Sequence, residues 1–154
     1  CMITRSKKIH DAAMLFAQAR LSPVLLGQIA AAAAHQNDTE YILKVRAEYA
    51  HRRNVLVDLL NGIPGVIRPK PKGAFYCAVE LPVDDTDKFA QWLLESYSHN
   101  NETIMVAPMS GFYSNPELGK KQVRIAYVLN EADLRRSVEL LNDALQKYKI
   151  EFGL

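Results

Sequence analysis

The stretch Gln122-Val123-Arg124-Ile125-Ala126-Tyr127-Val128 alternates β-branched and aromatic residues with polar or small ones, the pattern of a half-buried strand. Successive strand side chains point to opposite faces. Val123, Ile125 and Tyr127 therefore share one face, and Gln122, Arg124, Ala126 and Val128 the other. Arg124 stands in the middle of an otherwise apolar segment. Its guanidinium keeps its proton at any ordinary pH, and burying it unpaired is costly. An anionic group should meet it, and the planar fork matches a carboxylate or phosphate through two parallel hydrogen bonds. An internal salt bridge, or a head that reaches the rim, would satisfy the same requirement.

The blocks around that strand add a second line of argument. Met105-Val106-Ala107-Pro108-Met109-Ser110-Gly111-Phe112-Tyr113, then Gly119 and Val123 to Val128, with Pro71-Lys72-Gly73-Ala74-Phe75-Tyr76 upstream, resemble the C-terminal part of class I pyridoxal-phosphate aminotransferases of fold type I. The resemblance runs over nearly the whole chain and is specific in these blocks. The block from Ala107 to Val128 looks most like aspartate aminotransferases. The resemblance implies that Arg124 grips the α-carboxylate of an amino-acid substrate, and that Gly73 and Phe75 border the substrate pocket. By their residue types alone, Gly73 and Phe75 read equally well as a tight turn and a core aromatic.

At 154 residues the chain has a one-domain length, sufficient for a hydrophobic core, and 49% hydrophobic with 23% charged residues is ordinary for a globular protein. A formal net charge of +2 gives no electrostatic case for nucleic acid or an anionic membrane. No apolar run approaches the roughly 18 residues of a membrane span. Cys1 and Cys77 lie far apart and have no metal-ligand spacing, so no metal is expected and a reducing cytoplasm is the default setting. A chain opening on Cys1 is expected to be a piece of a larger protein. It lacks the polar tether of a lipoprotein.

In chain order, Ser6 caps a helix from about Lys7 to Arg20. Ser22-Pro23 signals a second helix, carrying Leu25, Leu26, Ile29, Ala30 and Ala33. Asn37 and Glu40 have the form of a capping box and open the longest helix, to about Leu60, ended by Gly62 and Pro64. Its apolar side holds Tyr41, Ile42, Val45, Tyr49, Leu56, Leu59 and Leu60, and His51-Arg52-Arg53 reads as solvated surface. Val66-Ile67 is a candidate edge strand, and Gly73 to Leu81 a strand with Phe75, Cys77, Val79 and Leu81 on one face. Asp84 or Asp85 caps a helix bearing Phe89, Trp92, Leu93 and Tyr97, and Ile104-Met105-Val106 reads as a short buried strand. Asn130 caps the last helix, whose Leu134, Val138, Leu141, Leu145 and Tyr148 keep a regular apolar spacing.

From Gly62 onward the order β, β, α, β, β, α predicts an α/β or α+β sandwich, a small, mostly antiparallel sheet packed with helices. The resemblance divides the chain further. Residues 1–36 would close a large cofactor domain, and 37–154 would form the small C-terminal domain, entered through the long interdomain helix.

The resemblance also implies pyridoxal phosphate, held as a Schiff base by a lysine that moves protons between substrate and cofactor. The family places that lysine in a serine-lysine motif followed by an aromatic residue and a glycine-x-arginine-x-glycine segment. Ser6-Lys7-Lys8 runs instead into Ile9-His10-Asp11-Ala12, so neither lysine fits. The cofactor lysine, the aspartate for the pyridine nitrogen and the phosphate loop are expected upstream, leaving no catalytic or cofactor-binding residue here and no transamination by this chain alone. His10, His35, His51 and His99 have no acid–base partner nearby in sequence, and Tyr76, Tyr113 and Tyr127 fit core or pocket equally. The expected partners are amino-acid and 2-oxo-acid substrates, with a homodimer at full length, since the partner subunit can recognise a side-chain carboxylate in this family. An alternative is the aminotransferase-like effector domain of a transcription regulator, distinguished by a winged-helix head upstream. A free-standing ferredoxin-like module would leave the first 60 helical residues and Arg124 unexplained and lacks a basic aromatic surface.

Overall fold

In the computed structural model, residues 2–20, 22–36 and 39–154 are described. The chain divides into two compact units, Cys1–Leu43 and Lys44–Leu154. In the first, α1 (Lys7–Gln18) starts where Ser6 Oγ accepts from the Ile9 amide at 3.4 Å, as a serine cap should. It stops short of Arg20. Helix α2 (Leu25–Gln36) begins beyond Ser22-Pro23, because the Pro23 carbonyl is taken by the Gln28 side-chain amide at 2.9 Å and the Gln28 backbone amide bonds to Val24 at 3.2 Å. The serine–proline pair thus lies outside the helix it was expected to open. Neither helix buries a residue, and Phe16 (78%) and Leu26 (75%) are largely exposed.

Helix α3 (Thr39–Asn61) leads into the second unit, and Asn37 of the expected capping box lies outside the described residues. Only its later turns are buried, through Leu56, Val57 and Leu60, while Tyr41 and Ile42 stay exposed. His51-Arg52-Arg53 does more than face solvent. His51 Nε2 lies 2.8 Å from Glu131, Arg52 donates to the Val128 carbonyl at 2.5 Å, and Arg53 reaches the Pro71 carbonyl at 3.4 Å. Three successive helical positions fan out and grip three separate loops or helix ends, contacts that no local pattern encodes.

The sheet has three antiparallel strands in the order β1-β3-β2: β1 (Tyr76–Glu80), β2 (Ala107–Pro108) and β3 (Gln122–Ala126). Strand β1 is shorter than expected because Ala74 takes a positive φ of 60°, which turns the chain out of the extended line. Phe75 therefore stands 52% exposed while Cys77, Val79 and Leu81 are buried. Val66-Ile67 contributes a single bridge, Ile67 to Glu80. Ile104-Met105-Val106 is not a strand. The pairing falls on Ala107 and Pro108, and Met105 is 81% exposed.

Helix α4 (Thr86–Glu95) is capped by Asp85, whose carboxylate accepts from the Asp87 and Lys88 amides. Thr86 Oγ1, fully buried, lies 3.0 Å from the Lys120 carbonyl and 3.1 Å from that of Gln122, tying the helix start to β3. Helix α5 (Glu131–Phe152) is capped by Asn130, which accepts from the Asp133 amide at 2.9 Å, as predicted. Its Leu134, Val138, Leu141, Leu145 and Tyr148 all enter one core with Leu56, Val79, Phe89, Leu93 and Val123. Two tyrosines close that core with their hydroxyls bonded. Tyr97 reaches Asp143 at 2.9 Å and Tyr148 reaches Asp84 at 3.0 Å. Burial and the neighbouring carboxylate raise both phenols, Tyr148 to about 12.

Candidate functional site

One face of the sheet is buried and the other is not. Val123 and Tyr127 are at most 1% exposed, whereas Arg124 is half-buried on the opposite face, the alternation expected of this strand. The register places Ala78 of β1 and Ala107 of β2 directly beside Arg124, and residues so paired share a face. Two alanines leave room above the strand where larger side chains would cover the guanidinium. Its carbon lies 5.1 Å from the centre of the Tyr76 ring and 5.2 Å from that of Phe112, so the fork is held between two aromatic side chains. Among the described residues no carboxylate pairs with it. The internal salt bridge that sequence alone allowed is absent there.

Phe112 reaches Arg124 because the connection between β2 and β3 is folded tightly. Two 3-10 turns, Ser110–Phe112 and Pro116–Gly119, shape it. Ser110 Oγ donates to Asp87 at 2.6 Å, and the Tyr113 hydroxyl donates to Gln122 Oε1 at 2.7 Å. Gly119 is buried against the other turn, where an added Cβ would sit 2.4 Å from the Met109 carbonyl oxygen and 2.7 Å from the Tyr113 ring. Backbone atoms cannot move aside cheaply. Gly119→Ala is therefore expected to cost about 1–3 kcal/mol in urea unfolding and to shift NMR signals of Phe112 and Arg124. A neutral effect on both would show that the turn repacks freely.

Gly73 and Phe75 lie apart from Arg124, lining a cavity of about 510 Å³ with Arg46, Tyr49, Arg53, Lys72 and Tyr127. Phe75 still touches the arginine's surroundings, since its ring meets Tyr76 edge-on with centroids 5.6 Å apart. The left-handed backbone sits at Ala74, not Gly73. Tyr127, which sequence left open, is core. Its hydroxyl donates to the Ala74 carbonyl at 3.0 Å, and burial raises its pKa against the lowering effect of Arg53. Tyr76, which sequence left open between core and pocket, stands beside Arg124, and Phe112 is the neighbour that sequence reasoning did not single out. The available signal was their aromatic character within the two blocks that flank β3.

The family model for aminotransferase class I and II matches residues 1–141, and the chain belongs to this family. It is 32% identical over 135 residues to an aspartate aminotransferase of Bacillus subtilis, covering 83% of this chain and 30% of that protein. An aspartate aminotransferase of Rhizobium meliloti is 32% identical over 152 residues, covering 90% and 34%. The aromatic aminotransferase from Pyrococcus horikoshii superposes with a TM-score of 0.65 at 29% identity, over 79% of this chain and 31% of that one. The alanine aminotransferase from Pyrococcus furiosus, at 22% identity, shares the fold with a TM-score of 0.75 over 90% of this chain and 34% of its own. The chain thus spans about a third of the length of these relatives.

The family is pyridoxal-phosphate-dependent. A lysine that forms a Schiff base at neutral pH has to be desolvated or set beside another cation, so that its amine loses its proton. The described residues do not fit that demand: none of their lysines is buried. Lys7, on a helix face, is 87% exposed and paired with Asp11 at 2.6 Å. No three histidine, cysteine or acidic side chains among the described residues converge on a metal position. No helix among them is long and apolar enough to cross a membrane.

Proposed function

We propose that this chain is the substrate-carboxylate-binding portion of a pyridoxal-phosphate-dependent aminotransferase that moves an amino group between aspartate and a 2-oxo acid. The observation that carries the reading is Arg124, a permanent cation held between Tyr76 and Phe112 with no carboxylate partner among the described residues. Its fork is free to take a substrate α-carboxylate bidentately, with the two rings flanking it. Phe75 approaches this arginine only through the contact of its ring with Tyr76, and Gly73 lines the neighbouring cavity. The aspartate assignment is supported by the names of relatives about a third identical to this chain.

In this reading residues 1–36 close the large cofactor domain, consistent with two helices that bury none of their residues, and 37–154 form the small domain. The lysine, the acid for the pyridine nitrogen and the phosphate cradle belong to other parts of the protein, so the chain by itself is inactive. The full protein works as a homodimer in the cytoplasm, a setting that suits the buried free thiol of Cys77.

The test is to incubate the longest natural form with pyridoxal phosphate, reduce it with borohydride and map the adduct by mass spectrometry. A pyridoxyl group on a lysine outside these 154 residues is expected. No adduct at all, or one on Lys7 or Lys8, would overturn the reading.

A further inference from the structure

The cavity beside Gly73 has a charge pattern that substrate-carboxylate binding at Arg124 does not use. Three cations, Arg46, Arg53 and Lys72, line it, and no carboxylate does. Arg46, Tyr49, Ala50 and Arg53 follow one another at helical spacing on α3, so the two guanidinium groups flank an apolar strip on a single helix face. The rings of Phe75 and Tyr127 supply further apolar lining. Arg53 is already oriented by the Pro71 carbonyl and Asn54 Oδ1, both neutral acceptors, and no carboxylate among the described residues pairs with it. Arg46 and Lys72 have no ion pair among the described residues.

The turn through Ala74 sets one wall of this cavity. The positive φ there, with the Tyr127 hydroxyl bonded to the Ala74 carbonyl, turns residues 72–75 out of the strand line, and they line the cavity together with α3. About 510 Å³ is the size of a small-molecule site. Three cations around an apolar strip, one of them oriented by hydrogen bonds, raise the local concentration of anions and favour those with more than one charge.

We propose that this cavity is a second binding site, for a small polyanion carrying carboxylate or phosphate groups, held by Arg46, Arg53 and Lys72. It is independent of the reading of Arg124, which does not line it.

Pyrophosphate and tricarballylate, titrated separately into the 154-residue chain at low salt, distinguish the two chemistries by calorimetry and amide NMR shifts. Saturable one-site binding is expected for at least one of them, with shifts centred on residues 46–53 and 72–75. The probe that binds tells whether phosphate or carboxylate is preferred. The double variant Arg46→Ala/Lys72→Ala, at two exposed positions that leave the core intact, should weaken it about tenfold or more. Arg53→Lys, which keeps the charge but not the fork, should weaken it less. Arg124→Ala should leave it unchanged, so failure here and failure of the Arg124 assignment are separable. Non-saturating shifts spread over all basic residues, or affinity unaltered in the double variant, would overturn the proposal.

Discussion

Arg124→Ala in the full-length protein is expected to weaken binding of monocarboxylic and dicarboxylic amino acids alike, by about 2–5 kcal/mol, or roughly 30- to 5,000-fold. The group removed is a cation whose neighbours on both sides of β3 are alanines and which is flanked by two uncharged rings, so none of these neighbours can replace its charge. The similar loss for both substrate types is the informative part, because an α-carboxylate is common to them and a side-chain carboxylate is not. Arg124→Lys should recover only a fraction, since an ammonium keeps the charge but loses the two-pronged geometry. Dissociation constants for L-aspartate and L-alanine decide the matter. Affinities within about twofold of the wild type would remove Arg124 from the site.

Phe89→Ala should unfold the second unit more readily than any surface change, at a cost of about 3–5 kcal/mol. Phe89 is fully buried, stacks on Trp92 with centroids 6.1 Å apart and meets Tyr148 edge-on at 5.0 Å. Removing it opens a cavity among rings that are anchored elsewhere. Trp92 Nε1 donates to Glu151 at 3.1 Å and the Tyr148 hydroxyl to Asp84, so neither can swing in to fill the space. Urea denaturation of the 154-residue chain is the measurement, with Phe75→Ala as the contrast. Phe75 is half exposed, and its loss should stay near 0.5 kcal/mol. Equal costs for the two would mean that the aromatic cluster contributes no more than a surface ring.

Much of this protein follows from local pattern. The face assignment along β3 needs only the twofold repeat of a strand, and the structure buries Val123 and Tyr127 while leaving Arg124 on the other side. The caps at Ser6, Asp85 and Asn130 need only a short polar side chain beside free amides, and each makes the bond expected of it. The periodic residues of α5 all reach the core for the same reason. The antiparallel sheet with packed helices, and membership of the aminotransferase family, were also legible, because blocks such as those around Gly73 and Arg124 carry their own signature.

Tertiary structure decided what depends on residues distant in the chain. Phe75 leaves the strand because Ala74 is turned and held by the Tyr127 hydroxyl from β3's end, an interaction across 53 residues. Ile104-Met105-Val106 has strand character but does not pair, and the register of β3 assigns its edge to Ala107 and Pro108 instead. Arg52 and Arg53 look like surface until the carbonyls of Val128 and Pro71 are brought to them. The two aromatic neighbours of Arg124 come from β1 and from a folded connection, and the cations of the second cavity from α3 and the loop after it. A side chain's face is set by its own backbone torsions, which neighbours in sequence determine. Its partners are set by which distant segments the buried core draws together, and that is a property of the whole packing.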